Sequence, residues 1–101
     1  MKNFRFEAKL WKYPGEQGAW FFISVPKAES AVIKKLTANN RRGWGAVRVK
    51  VKVGKTIWET SIFPDSKAGT YLLPVKAKIR RLEGLFEGES AKVLLTLVRW
   101  P

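Results

Sequence analysis

The sequence predicts a mainly β protein: a small six-stranded closed or split β-barrel with two short α-helices. Three observations carry this. Apolar residues recur with period two in several short stretches, the pattern of half-buried strands. Gly or Pro marks most junctions between those stretches, and both residues favour turns. Only two stretches have a helical period, and each follows a proline, which is well suited to a helix start. Strands this short, shut off by turns, favour a barrel over an open sheet with long unpaired edges. At 101 residues the chain is expected to be a single domain, 1–101, around one core.

The elements follow in order. In residues 4–12, Phe4, Phe6, Ala8 and Leu10 share one face, with Arg5, Glu7, Lys9 and Trp11 on the other. Pro14-Gly15 is a turn. The next strand, Trp20 to Val25, is apolar on both faces apart from Ser24, which points to a central position. Pro26 ends it, and Ala31, Val32, Ile33 and Leu36 define a helix over 27–37. Asn39 to Gly43 is a loop, and Gly43 and Gly45 bracket Trp44. From Val47 to Val53 the valines at 47, 49, 51 and 53 point in, and Arg48, Lys50 and Lys52 point out. Gly54-Lys55 is a two-residue hairpin turn with Gly first. Thr56 to Phe63 returns, residues 64–69 form a loop, and Tyr71 to Leu73 is a short strand. Pro74 opens a second helix over about 75–84, closed by Gly84. After a turn at Gly88, Ala91 to Arg99 is the last strand.

Two units echo each other. Val25-Pro26 leads to Ile33-Lys34-Lys35-Leu36, and Leu73-Pro74 leads to Ile79-Arg80-Arg81-Leu82. Either two helix-start prolines coincide, or the barrel is a pseudo-two-fold duplication of strand-helix-strand halves.

Composition excludes several chemistries. The chain has no Cys and no His. Disulfides, thiolate or imidazole metal sites, and Ser-His or Cys-His triads are therefore out. Gly54-Lys55-Thr56 lacks the upstream glycine and following helix of a phosphate-binding loop. Ser66-Lys67 is better explained as turn chemistry. No catalytic residue, cofactor or metal is expected, and the protein is read as not an enzyme. The longest apolar run, Ala19 to Ile23, is five residues, whereas a membrane helix needs about 20. With no signal peptide pattern, a cytoplasmic protein without a membrane partner is expected. The absence of Cys, the single Met and the few Asn and Gln fit a hot-environment source.

Charge carries the functional expectation. Twenty Lys+Arg against eight Asp+Glu give a net charge of +12. Between Ser30 and Trp58 stand Lys34, Lys35, Arg41, Arg42, Arg48, Lys50, Lys52 and Lys55, with no acid among them. Outward residues of one strand recur every 6.6–6.8 Å or so, close to the phosphate spacing of a nucleic acid strand. These eight residues and Trp44 are the candidate nucleic-acid-binding set, phosphates being neutralised by the cations and a base stacking on the ring. The competing reading is a solvated basic surface, although hot-environment surfaces balance Lys with Glu and this one does not.

A recognisable pattern runs through Arg41-Arg42-Gly43-Trp44-Gly45, Val47, Val49, Val51, Trp58, Ser61, Phe63-Pro64 and Gly69 to Lys76. Phe6-Glu7-Ala8, Leu10-Trp11, Gly84 and Gly88 extend it. It resembles the prokaryotic domain of unknown function 1905 family over nearly the whole chain. The resemblance implies a small barrel with two helices, and no activity. The shorter stretch Leu73-Pro74 through Arg80, with Gly84-Leu85, Gly88 and Val93, is similar to the swapped-hairpin element of AbrB- and MazE-type DNA-binding barrels.

Three functional expectations stand side by side. The first is a nucleic-acid-binding barrel, RNA or DNA not being distinguishable. The second is a small-molecule or anion-binding barrel whose pocket would use Trp58, Phe63 and Tyr71, although core packing accounts for these better. The third is a module for an acidic protein. Trp11, on the polar face beside Lys9 and Lys12, is the better candidate for an exposed ring. Two halves in one chain allow a monomer, whereas a single swapped hairpin requires a homodimer.

Overall fold

A computed structural model describes residues 2–15, 20–38 and 45–98. The alternation of the opening stretch produces β1 (Asn3–Lys12). Phe4 and Leu10 are buried, and Phe6 and Ala8 pack against the core. After β2 (Phe21–Val25), Pro26 serves as the N-cap of α1 (Lys27–Leu36). The next strand, β3 (Val47–Val53), has the bounds the sequence predicts, and its four valines are all in the core. Each fully buried Val is worth about 1.5–3 kcal/mol, so this strand is a principal anchor. Gly54 adopts φ of 58°, as a primed hairpin turn requires, and leads into β4 (Thr56–Asp65). The chain ends with β5 (Thr70–Pro74), α2 (Ala77–Glu83) and β6 (Ser90–Leu97).

The six strands close into one antiparallel barrel in the order β1-β2-β5-β4-β3-β6. Closure works because two strands change partners part-way along. β1 pairs with β6 from Asn3 to Lys9 and with β2 from Leu10 to Lys12. β4 pairs with β3 from Thr56 to Ile62 and with β5 from Phe63 to Asp65. Exchanging β1 with β4, β2 with β5 and β3 with β6 returns the same six pairings. The topology therefore has the two-fold character that the echo suggested, and one chain supplies every strand.

The helices close opposite ends. α1 leaves the end of β2 and inserts Ile33, which has no exposed surface. Ser30 of α1 is the tie: its Oγ donates to the Val25 carbonyl at 3.0 Å and accepts from the Tyr71 N–H at 3.0 Å. At the other end, α2 buries Ile79 and lays the Arg80 guanidinium 3.8 Å from the Phe21 ring centroid. Arg80 Nε also donates to the Val75 carbonyl. Gly84, at φ 61°, caps α2 as expected.

Three expectations need correction. Pro74 does not open α2: it is the last residue of β5, and Val75 donates its N–H to the Phe21 carbonyl at 2.9 Å. That bond prolongs the pairing with β2 and delays the helix to Ala77. Pro64 does not end β4, which runs to Asp65 opposite Thr70; a proline is tolerated near a strand end, where a lost N–H is least damaging. The outer face of β2 is not covered by another layer. It is apolar because Phe22 belongs to a partly exposed aromatic surface.

Ser30→Ala leaves the buried Tyr71 amide without its acceptor. The expected loss of unfolding free energy is about 1–3 kcal/mol, read as a lower urea midpoint at unchanged m. An unchanged midpoint would mean that water reaches this amide.

Candidate functional site

The outer faces of β3, β6 and β1 form a continuous basic wall. Alternation on β3 turns Arg48, Lys50 and Lys52 outward, since the valines between them fill the core. Pairing places Lys50 opposite Thr96, and Lys52 opposite Leu94 on β6. Leu94 in turn faces Arg5 on β1, and Lys92 faces Glu7. Arg5, Lys9 and Lys92 thus join the three cations of β3, with Lys50 and Lys52 both exposed. Neighbouring strands lie about 4.8 Å apart, so Lys52 and Arg5 stand about 10 Å from each other across Leu94. A shallow groove of about 440 Å³ lies here, lined by Arg5, Glu7, Lys52, Gly54, Lys92 and Leu94 among others.

Three carboxylates temper the wall. Glu59 of β4 is opposite Lys50 and lies 3.9 Å from Arg48 Nε. Glu7 faces Lys92. Glu83 of α2 reaches the β3–β4 hairpin, where it accepts from the Thr56 hydroxyl and from the Lys55 N–H at 3.3 Å. A Cβ at position 54 would push aside the Glu83 carboxylate, the end of a flexible side chain, so it is the positive φ of the turn that calls for glycine.

The predicted 34–55 segment is therefore not one strip. Arg48, Lys50 and Lys52 stand on the barrel wall. Lys55 sits at the hairpin turn held by Glu83. Lys34 and Lys35 are exposed in the last turn of α1, at the opposite end from that hairpin. There they complement the partial negative charge of the helix C-terminus. Arg41, Arg42 and Trp44 lie outside the described residues. The partners contributed by β1 and β6 were not singled out from the sequence, because isolated cations in separate strands meet only through register.

A second surface lies where β1, β2, β5 and β4 adjoin. Trp11 pairs with Phe22, which pairs with Pro74, and Leu72 pairs with Phe63. The Trp11 ring lies 5.5 Å from Phe22 and its Nε1 donates to Ser24 Oγ at 2.9 Å. Trp11 is half-buried, so it is not the freely exposed ring expected. Tyr13 and Trp20 hold that place, at 50% and 63% exposure. The Tyr13 N–H donates to the Trp20 carbonyl at 2.7 Å, fixing the two residues together. Trp20 stacks on Phe22 with an interplanar angle of 10°. Tyr13, Trp20, Phe22, Phe63, Leu72 and Pro74 line a cleft of about 380 Å³.

The pocket expected of Trp58, Phe63 and Tyr71 is not formed. Tyr71 is in the core, Trp58 packs against the core beneath α2, and Phe63 points outward into the aromatic cleft. Phe63 is thus on the opposite face of the sheet from Trp58 and Tyr71, which both face inward. Among the described residues no three His, Cys, Asp or Glu side chains converge as a metal site. Several carboxylates serve local structure: Asp65 accepts from the Ala68 N–H and Glu89 from the Phe86 N–H. Among the described residues no helix is long and apolar enough to cross a membrane.

The Arg48–Glu59 pair is exposed, and such pairs contribute about 0–1 kcal/mol. Glu59→Gln is expected to shift the unfolding midpoint only slightly while raising the positive potential of the wall. A large destabilisation would show that the carboxylate anchors β4 to β3.

No curated protein matches the chain. Residues 6–95, which span all but the outermost residues of β1 and β6, match the family model of a domain of unknown function, DUF1905, and the protein belongs to that family.

Proposed function

We propose that this protein is a small non-catalytic barrel that binds nucleic acid through phosphates, on the wall formed by β3, β6 and β1. The observation that carries the reading is the register across those strands. It gathers Arg5, Lys9, Arg48, Lys50, Lys52 and Lys92 onto one outer surface of a chain with net charge +12. Like charges at this spacing repel, and a polyanion relieves the repulsion while its counterions are released. A row of phosphates fits a wall of this kind better than one small anion does. Sequence-independent contact with the backbone is the expected mode, on RNA or DNA. Closure of the barrel asks for no second chain, so a monomer suffices. A nucleic-acid partner and the lack of Cys fit a cytoplasmic setting.

The cleft supports a second reading, an accessory barrel holding an apolar small molecule. Among the described residues no charged side chain lines the cleft, which suits it poorly to a free anion. The two readings use different surfaces and are separable by mutation.

Labelled oligonucleotides titrated between about 50 and 200 mM salt should show affinity falling steeply, with a log–log slope of about −0.7 to −0.9 per phosphate contacted. Lys50→Gln with Lys52→Gln should weaken binding and flatten the slope by about that amount per charge removed. Lys34→Gln with Lys35→Gln should do less, since these lie on α1 and not on the wall. An unchanged slope for the Lys50 and Lys52 pair would overturn the assignment of the wall.

A further inference from the structure

The geometry points to single-stranded nucleic acid as the ligand, with unpaired bases stacking in the aromatic cleft while the adjoining wall holds phosphates. This rests on the nucleic-acid reading above and deepens it. Strand β1 joins the two surfaces. Its outward residues read Arg5, Glu7, Lys9 and Trp11, so the last cation of the wall stands about 6.7 Å along one strand from Trp11, the ring that flanks Phe22 of the cleft. A chain of nucleotides following that strand meets positive charge and then aromatic rings.

The rings are arranged for stacking. Trp20 is held parallel to Phe22 with centroids 6.4 Å apart, yet leaves 63% of its surface in solvent. Phe22 is flanked on the neighbouring strand by Trp11, whose indole N–H is already bound to Ser24. Tyr13 stands edge-on to Phe22. Among the described residues the lining is aromatic and aliphatic, which suits the π-face of a base and not a phosphate. A duplex offers no such face except at its ends, because its bases are already stacked. A second copy of this chain is the other occupant an apolar face suggests. Each copy carries +12, and that repulsion opposes self-association while it attracts a polyanion.

The test compares a short labelled oligothymidylate with a blunt duplex of equal phosphate number, by fluorescence anisotropy. The wild type is expected to prefer the single strand and to show tryptophan quenching on binding. Trp20→Ala and Tyr13→Ala, both at exposed positions, should each lower single-strand affinity about five-fold or more and leave duplex affinity unchanged. Thermal melts confirm that the variants fold, and Trp20→Phe should restore part of the loss. Equal affinity for both nucleic acids, or variants without effect, would overturn the stacking inference while leaving the phosphate wall standing. No binding to either would overturn both. A concentration-dependent dimer, broken by Trp20→Ala with single-strand affinity unchanged, would assign the cleft to self-association and overturn the inference.

Discussion

Closure of the barrel is the constraint on which everything else depends. A six-stranded ring has no free edge only if each strand finds two partners. Here β1 and β4 make that possible by each serving one neighbour along most of their length and another at the end. The inward side chains must then fill a narrow interior, and Val, Ile and Leu from all six strands do so. The helices complete the enclosure, Ile33 at one end and Ile79 at the other. Ser30 ties α1 to both β2 and β5, and Arg80 reaches back to Phe21. Each helix is thus held by the half of the chain that it does not follow as well as by its own.

The two-fold relation in the pairing is not matched residue for residue. Leu10 is the first residue of β1 to pair with β2, and Phe63 is the first of β4 to pair with β5. Leu10 points into the core at 1% exposure, whereas Phe63 points out at 42%. A one-residue offset in a strand exchanges its faces. This explains why the two halves share a topology without a strict sequence repeat. It also explains how an apolar residue of β4 comes to contribute to an external aromatic surface.

Strand β3 was fully legible in the sequence because its alternation has no exception. Elements bounded by proline were less so. Pro26 and Pro74 look equivalent in sequence, yet one caps a helix and the other sits in a strand. The difference lies in a long-range hydrogen bond from Val75 to Phe21, which no local pattern announces. The site divides in the same way. Arg48, Lys50 and Lys52 were legible as one row on one strand. Arg5, Lys9 and Lys92 were not, since only the register of β3, β6 and β1 assembles them. Trp11 was rightly placed on the outer face but is half-buried, because Phe22 and Ser24 arrive beside it from another strand.

A filled interior also decides where function can reside. Leu10, Ile23, Val49, Val51, Ile62, Leu73 and Leu95 have essentially no exposed surface, and α1 and α2 stand over the two ends. A ligand in the barrel mouth would have to displace Ile33 or Ile79 and open packing worth several kcal/mol. The outer wall carries no such penalty. Its residues are not needed to fill the core, so they are free to differ from one side of the barrel to the other. On the β3–β6–β1 side they include six cations, Arg5, Lys9, Arg48, Lys50, Lys52 and Lys92, and on the β1–β2–β5–β4 side they include the rings of Trp11, Phe22 and Phe63. β1 belongs to both, so it is the strand along which the proposed nucleic-acid ligand would meet charge and aromatic surface together.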